Sequence, residues 1–147
     1  MSASRESILA ALLTLAGTVT GISAANTSRR NRAPEDITPA QCPALFVLED
    51  GDIYERPSPS LPPKRHLIVN LVIYNDVGAA NLNLIPTAAI NNALDALDLA
   101  LKSTDPSGLF TLGGLVSYVV IEGETKRSPG DRTGKAVAIV PLRVMLP

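Results

Sequence analysis

The chain has 147 residues, a length typical of one domain, and 46% of them are hydrophobic while 18% are charged, which excludes an intrinsically disordered chain. Its formal net charge is −1, so no overall charge attracts it to nucleic acid or to an anionic membrane. One cysteine and one histidine exclude a disulfide framework, a cysteine-built metal site and a two-histidine metal site. We expect a single domain over residues 1–147 that needs no metal and no cofactor.

The first apolar segment, ILAALLTLAGTVTGISAAN, covers Ile8 to Asn26 and ends near small residues that resemble a signal-peptide cleavage site. A signal peptide has a positively charged start and an unbroken apolar run. Here Arg5 is followed at once by Glu6, and threonines and Gly17 interrupt the run. Its apolar residues recur with the helical period, so we predict a helix capped by Ser4 and packed on a core.

Several β-rich runs predict about five strands in the rest of the chain: TVTGIS, ALFVLEDGDIYERP, KRHLIVNLVIYND, GLVSYVVIEGE and KAVAIVPLRVML. Within the second run, Asp50-Gly51 predicts a hairpin turn, because this dipeptide favours the tight turns of hairpins. The proline-rich segment Pro57–Pro63 predicts an extended loop, because proline cannot join a ladder. Pro141 inside the last run predicts an edge or a bulge at that position.

The run KRHLIVNLVIYND has two faces of different character. Leu67, Val69, Leu71 and Ile73 alternate along one purely aliphatic face. The opposite face is half polar and half apolar: His66, Ile68, Asn70, Val72 and Tyr74. We therefore expect one face to pack on the core and the other to meet a less dry environment, such as a second subunit.

A second helix is predicted over IPTAAINNALDALDLALKS, starting at Pro86 or Thr87 and ending before Asp105-Pro106. An apolar stripe runs along one side of it: Ile90, Leu94, Leu97 and Leu101. On the polar side, Asp98 and Lys102 have the spacing of an ion pair. Leu99 falls on this polar side too, either as a lone exposed leucine or as a subunit contact.

These elements predict an α+β domain with a mixed, mostly antiparallel sheet and two amphipathic helices on one face. The segment TKRSPGDRTGK, Thr125 to Lys135, predicts a mobile hairpin tip whose Lys126, Arg127 and Arg132 become ordered only against a partner or in a ring lumen.

Residues of the kind that carry catalysis lack the required context. His66 has no nucleophile in a recognisable motif nearby and is expected at the surface, whereas Cys42 is expected as a small buried residue. Glu49, Asp50 and Asp52 lack the rest of a calcium loop. No phosphate-binding glycine motif occurs in the sequence. We therefore expect a protein that acts by binding rather than an enzyme.

The most distinctive charged stretch is SRRNRAPED, in which Arg29, Arg30 and Arg32 run into Glu35 and Asp36. One interpretation is a solvated loop whose charges cancel locally. The other is a contact in which these arginines meet the same acidic turn, or the acidic segment at 49–52, of a neighbouring subunit. Direct DNA binding is the weakest of the three, because three arginines alone are a small basic patch.

Several sequence segments, in their order along the chain, resemble those of a known protein family. The segments RESILAALLTLAG, RRNRAPEDITPAQCPALFVLEDGDIYERP, LPPKRHLIVNLVIYND, LGGLVSYVVIEGE and AVAIVPLRVML resemble small tail proteins of long-tailed bacteriophages and prophages, and most of all the tail terminator group. The resemblance spans nearly the whole chain. It rests on the order and the local sequence of these segments rather than on one diagnostic motif.

The resemblance implies a homo-oligomeric ring, a hexamer in that group, that caps the tail tube, stops its polymerisation and offers a surface to the head-side connector. It implies a place at the tail or neck of the virion, assembly in the host cytoplasm, DNA only as passing cargo and no membrane. Two alternatives stay open: a head-completion or neck adaptor, or another minor tail protein, of the same particle, and an exported bacterial protein.

Overall fold

The computed structural model describes residues 4–22, 24–77, 85–102, 108–129 and 134–147. In these ranges the chain forms two α-helices and six strands: α1 (Arg5–Ala16), β1 (Thr27–Ser28), β2 (Ala44–Glu55), β3 (Lys64–Asp76), α2 (Pro86–Ala100), β4 (Tyr118–Ile121), β5 (Lys126–Ser128) and β6 (Lys135–Met145). Three short 3₁₀ turns lie at Ala24–Asn26, Pro34–Asp36 and Pro39–Gln41.

The strands form one mixed sheet in the order β1-β2-β3-β6-β4, and β5 also pairs with β6. All pairs are antiparallel except β1 with β2, which is parallel. The α+β class and the mostly antiparallel sheet are thus confirmed. The two long strands β3 and β6 form its centre, and both helices pack on one face.

The helix-covered face holds the main core. The aliphatic face of β3 (Leu67, Val69, Leu71 and Ile73) is buried, as predicted, against α1 and α2. Ile8, Leu9 and Leu12 contribute from α1, and Ile90, Ala93 and Leu97 from α2. Ser4 caps α1 as expected, because its Oγ accepts the Ser7 N–H at 3.1 Å.

The hairpin predicted at Asp50-Gly51 is wrong. Both halves of the segment belong to the single strand β2, and the register against β3 shifts between Glu49 and Gly51. Asp50 is the extra residue of a β-bulge, which changes the face to which each later side chain points. The long loop at Pro57–Pro63 makes the reversal instead, as its prolines predict.

The strand predicted in TVTGIS is also wrong for the described residues 18–22. Successive N–H groups there bond back to carbonyls three residues earlier, including Val19 to Ala16 and Ile22 to Val19. Gly21 has φ +93°, a conformation typical of glycine in turns. Val19 and Ile22 are buried in the main core, and they do not pair with a strand.

Pro141 lies in the interior strand β6. On the side of β6 that faces β4 and β5, the ladder is interrupted at Pro141, because β4 pairs with residues 142–145 and β5 with residues 137–139. The Pro141 carbonyl accepts the Glu122 N–H at 3.1 Å, so its nitrogen faces the same gap. A Cβ on Gly123, whose φ is +116°, would approach the Pro141 ring at 3.3 Å.

Part of the second sheet face is covered by the segment between β1 and β2. Ile37 from this segment packs with Ala44, Phe46 and Val72 in a small second cluster. The Phe46 and Tyr74 rings meet edge to face, with centroids 5.8 Å apart. One part of this face is therefore a second apolar cluster rather than the less dry environment that was expected, and the rest of the face is partly exposed.

Candidate interaction surfaces

The uncovered part of the second sheet face is the first candidate site, and we call it the open face. The pairing register places side chains of four strands on it: Leu48, Ile53, Ile68, Asn70, Val120, Ile139, Pro141 and Arg143. Ile53 and Ile139 are 37% and 39% exposed, which is high for isoleucines in a sheet of this size. An apolar sheet face of this kind is a typical protein-binding surface.

One ion pair lies among these apolar residues. Arg143 Nε is 3.1 Å from a carboxylate oxygen of Glu122, and both side chains are partly exposed. Asn70 adds an amide in the middle strand. The open face therefore combines aliphatic surface with a few polar groups, a mixture found in interfaces between proteins.

The outer edge of β2 is the second candidate site. β1 pairs only with Leu45 and Phe46, so in the described part of the chain no strand pairs with this edge from Val47 to Glu55. Residues 49–55 are all exposed. An unpaired edge can accept a strand of another chain, although its acidic side chains and the bulge at Asp50 restrict which chains can add.

Arg29 holds the start of α1 against β2. Its guanidinium donates to Glu6 at 2.8 and 3.1 Å and to Glu49 at 2.8 Å. The hydrogen bonds that Arg29 donates to these two carboxylates raise the pKa of Arg29, and the Arg29 guanidinium lowers the pKa of Glu6. One interpretation of the sequence places Arg29 against the acidic segment 49–52 of a neighbouring subunit; within this chain, Arg29 and Glu49 already pair with each other.

Asp52 is also engaged within the chain. Arg5 Nε donates to Asp52 at 2.9 Å, and Arg5 also donates to the Tyr54 hydroxyl at 2.7 Å. The pKa of Arg5 is raised, chiefly by the hydrogen bond to Asp52. Arg5 and Arg29 together form what we call the α1 clamp: two arginines that tie the helix start to β2.

The other arginines and acids of the 29–36 stretch lie apart from the clamp. Arg32 lies over the Phe46 ring, 5.9 Å from its centroid, and Arg30 is exposed. Glu35 and Asp36 are exposed in a 3₁₀ turn. Asp50 is exposed at the bulge. These residues remain candidates for contact with another subunit.

The remaining predicted contact residues are scattered. Leu99 is 72% exposed on the solvent side of α2, far from the core. Lys126 and Arg127 are exposed in β5, so this part of the predicted mobile tip is a paired strand. Arg132 lies outside the described residues. Lys135, predicted to share the tip, is instead mostly buried and pairs with Asp76 at 3.1 Å.

Asp98 and Lys102 do not form the predicted ion pair among the described residues. Lys102 lies beyond the end of α2, where Leu101 is the C-cap, so the helical spacing that would bring the two side chains together is lost. The second helix itself, from Pro86 to Ala100, has the predicted start and stripe.

The expectation of a surface His66 is wrong. The side chain is 3% exposed, and Ile53 and Met145 lie opposite it on the neighbouring strands. Its Nε2 is 3.7 Å from a Glu55 oxygen, and its Nδ1 has no hydrogen-bond partner among the described atoms. A buried imidazole with one weak partner does not form a catalytic arrangement.

Cys42 is half-buried rather than fully buried. Its thiol approaches the Thr38 carbonyl at 3.6 Å, and desolvation raises its pKa. A raised pKa disfavours the reactive thiolate. In the described ranges no three His, Cys, Asp or Glu side chains come together as a metal site would require. Helices of the described chain are also too short or too polar to cross a membrane.

The sequence could not identify most of the open face. The bulge at Asp50 changes which side chains of β2 share a face, so Ile53 joins His66 and Asp52 joins the helices. Reading Asp50-Gly51 as a bulge would have predicted both placements. The pairing of Val120 and Arg143 depends on which strands are neighbours, and nothing in the local sequence encodes that.

The comparisons with known proteins give little further information. No protein-family model matches the chain, and a search of curated proteins finds no significant match. One solved structure that matches is described as the virion of a native gene transfer agent particle, with a TM-score of 0.47 and 14% identity over 92% of this chain and 83% of that chain. A likeness this weak carries no inference about function.

Proposed function

We propose that this chain is a structural subunit of a phage-like virion, a ring-forming tail terminator that caps the tail tube and offers a docking surface to the head-side connector. In this proposal it works by binding alone, at the tail or neck of the particle, with the tube protein, the connector and other copies of itself as partners.

The open face is the observation that carries the proposal. A domain that acts alone would cover the aliphatic residues of its second sheet face, whereas here Ile53 and Ile139 remain exposed. The edge of β2 beyond Phe46, which pairs with no strand in the described part of the chain, is a further surface able to bind another chain. The resemblance of several sequence segments, in their order, to tail terminators supports the particular role.

A tube-growth assay tests this role. Purified tail tube protein is allowed to polymerise with and without this chain, and tube lengths are measured by negative-stain microscopy. A terminator stops growth, so lengths shorten as its concentration rises, and particles appear only at one end of each tube. Unchanged lengths with no end-bound density would contradict the proposal.

The same assay separates the neck-adaptor alternative. An adaptor binds the finished head or neck without affecting how long the tubes grow. Binding to connector-bearing heads together with unchanged tube lengths would replace the terminator role by the adaptor role.

A further inference from the structure

An apolar groove lies between the loop that joins β2 to β3 and the end of β6. Its volume is about 670 Å³, and prolines and aliphatic side chains form most of its lining: Pro57, Leu61, Pro62, Pro63, Met145 and Leu146. Lys64 and Arg65, the first residues of β3, line it as well. We call this recess the proline groove: apolar, with two cations beside it.

The solvent side of α2 carries the opposite features. Leu99 is 72% exposed, the most exposed large hydrophobic side chain in the described part of the chain. Asp95 lies one turn before it and Asp98 directly precedes it, and both are exposed. We call these three residues the Leu99 patch: one aliphatic side chain with two carboxylates beside it.

The two surfaces belong to different parts of one molecule. The residues that line the groove come from the β2–β3 loop, the start of β3 and the end of β6, and none of them belongs to α2. The Leu99 patch of a subunit therefore does not fill that subunit's own groove. Within the described part of the chain, both surfaces are therefore open to a second copy.

We propose that Leu99 of one subunit inserts into the proline groove of a neighbouring copy, with Asp95 and Asp98 facing Lys64 and Arg65. The carboxylates and the cations have opposite signs, and the aliphatic side chain meets an aliphatic lining. The contact joins two different surfaces, so it is head-to-tail, and such contacts generate rings when the rotation closes. The inference rests on the proposed function, because a ring needs a junction of this type.

The leucine supplies most of the affinity in this arrangement. Complete burial of a leucine side chain corresponds to about a ten- to hundredfold change in an association constant. The charged groups lie at a wet rim, where pairs add little affinity but determine register and exclude wrong partners. The junction should therefore weaken strongly when Leu99 is truncated, and should depend on salt through the aspartates.

Truncation of Leu99 is the first test. Association of the Leu99→Ala variant is measured by sedimentation equilibrium beside the parent and beside Ile85→Ala. Ile85 is 66% exposed and precedes α2, so its truncation removes a comparable exposed side chain outside the patch. We expect at least about tenfold weaker association for Leu99→Ala and parent-like association for the control. Equal association of all three would overturn the proposal.

A charge exchange provides the sharper test. One variant carries Asp95→Lys with Asp98→Lys, and the other carries Lys64→Asp with Arg65→Asp. Each variant alone presents like charges at every junction and should remain monomeric where the parent associates. An equimolar mixture can alternate the two variants, so that every junction again joins opposite charges, and should recover association. Failure of the mixture to recover would overturn the proposal.

A control that reverses one exposed acid elsewhere separates local from general effects. Glu124→Lys is compared with Asp98→Lys alone, because Glu124 is exposed and lies outside α2 and outside the residues predicted to contact another subunit. Parent-like association of this control supports the proposed junction, whereas a loss as large as that of the α2 variant would overturn it.

The association of the unsubstituted parent protein distinguishes failure of the proposed junction from failure of the ring-forming role. If the parent associates and the Leu99 and charge variants associate equally well, only the proposed junction fails and the ring-forming role stands. If the parent stays monomeric at every concentration and in the presence of tubes, the ring-forming role fails, and the junction fails with it.

Discussion

The two faces of the sheet differ more than any other pair of regions in this molecule. On the helix side, β3 and β6 bury aliphatic side chains against α1 and α2 almost completely. On the other side, the same two strands carry Ile68, Ile139 and Arg143, and only part of that side is covered by the segment before β2. The same strands therefore contribute to a closed core on one side and to a partly exposed surface on the other.

Because the two faces differ in burial, substitutions on them should affect different quantities: stability on one face and binding on the other. The helix face supplies the buried area that holds the domain together, so changes there should be measured in free energy of unfolding. The open face adds little to folding because its side chains keep much of their exposure. Changes there should be measured in affinity for other proteins.

The largest expected effect comes from truncating the same residue type on each face. Ile73→Ala, fully buried under the helices, should lower the free energy of unfolding by about 2–5 kcal/mol, since the cavity cannot collapse in a closed core. Ile139→Ala on the open face should lower it by less than about 1 kcal/mol. Urea denaturation measures both. Equal losses would remove the distinction between the faces.

The next effect is on binding. Ile139→Lys places a charge on the open face and should reduce cosedimentation with tail tubes about tenfold, because a buried unpaired charge opposes docking. Its free energy of unfolding should change little. Leu109→Lys is the matched control, since Leu109 is 42% exposed and lies outside the open face. Parent-like tube binding by Ile139→Lys would show that the open face does not meet the tube.

A smaller effect is expected at the α1 clamp, which fastens the helix layer to β2. Arg29→Ser removes the bonds to Glu6 and Glu49 and should destabilise the domain by about 1 kcal/mol or less, whereas Arg30→Ser should be neutral. Urea denaturation at low and high salt is the measurement, because salt screens such pairs. Identical stabilities of the two variants would show that the clamp contributes nothing.

The same clamp has a defined pH dependence. Arg29 lowers the pKa of Glu6 in the folded chain, so the pair stabilises the fold above the ordinary glutamate range. This contribution is lost as the pH falls through the lowered pKa of Glu6. Arg29→Ser should therefore show a smaller loss of stability on acidification than the parent, and an equal or greater loss would be the contrary result.

The smallest effect concerns Cys42. Burial raises the pKa of its thiol, so the thiol form is favoured in the folded chain up to a higher pH than in the unfolded chain. Alkylation by iodoacetamide should be slower in the native protein than in urea at about pH 8, with a midpoint displaced to higher pH. Coincident pH profiles in the two states would contradict this.

Periodic patterns predicted much of the fold. The alternation in KRHLIVNLVIYND predicted both the extent of β3 and its core face, and the apolar stripe of α2 predicted which side packs. The predictions of β3 and α2 are confirmed because burial of a continuous apolar face dominates the folding free energy of such elements. The half-polar character of the other face of β3 likewise indicated that something other than the core covers it.

The features that the sequence predicted wrongly or missed share a physical reason. Asp50-Gly51 has the local chemistry of a hairpin turn, yet the pairing of β2 with β3 along its whole length leads to a bulge instead. Arg29 looked free because its partners, Glu6 and Glu49, are 23 and 20 residues away in sequence. His66 was expected at the surface from its charged neighbours in sequence, yet it lies in an interior strand between β2 and β6. Contacts of this kind depend on strand order, which local patterns do not encode.

The mass of the purified protein in solution tests the central claim most directly. Light scattering after size exclusion, over a wide range of concentrations and with added tail tubes, distinguishes a ring subunit from a solitary domain. We predict a shift from the 15.4 kDa subunit toward a closed multiple of that mass, and retention of this species on the tubes. A constant mass of 15.4 kDa with no association with tubes would contradict the account.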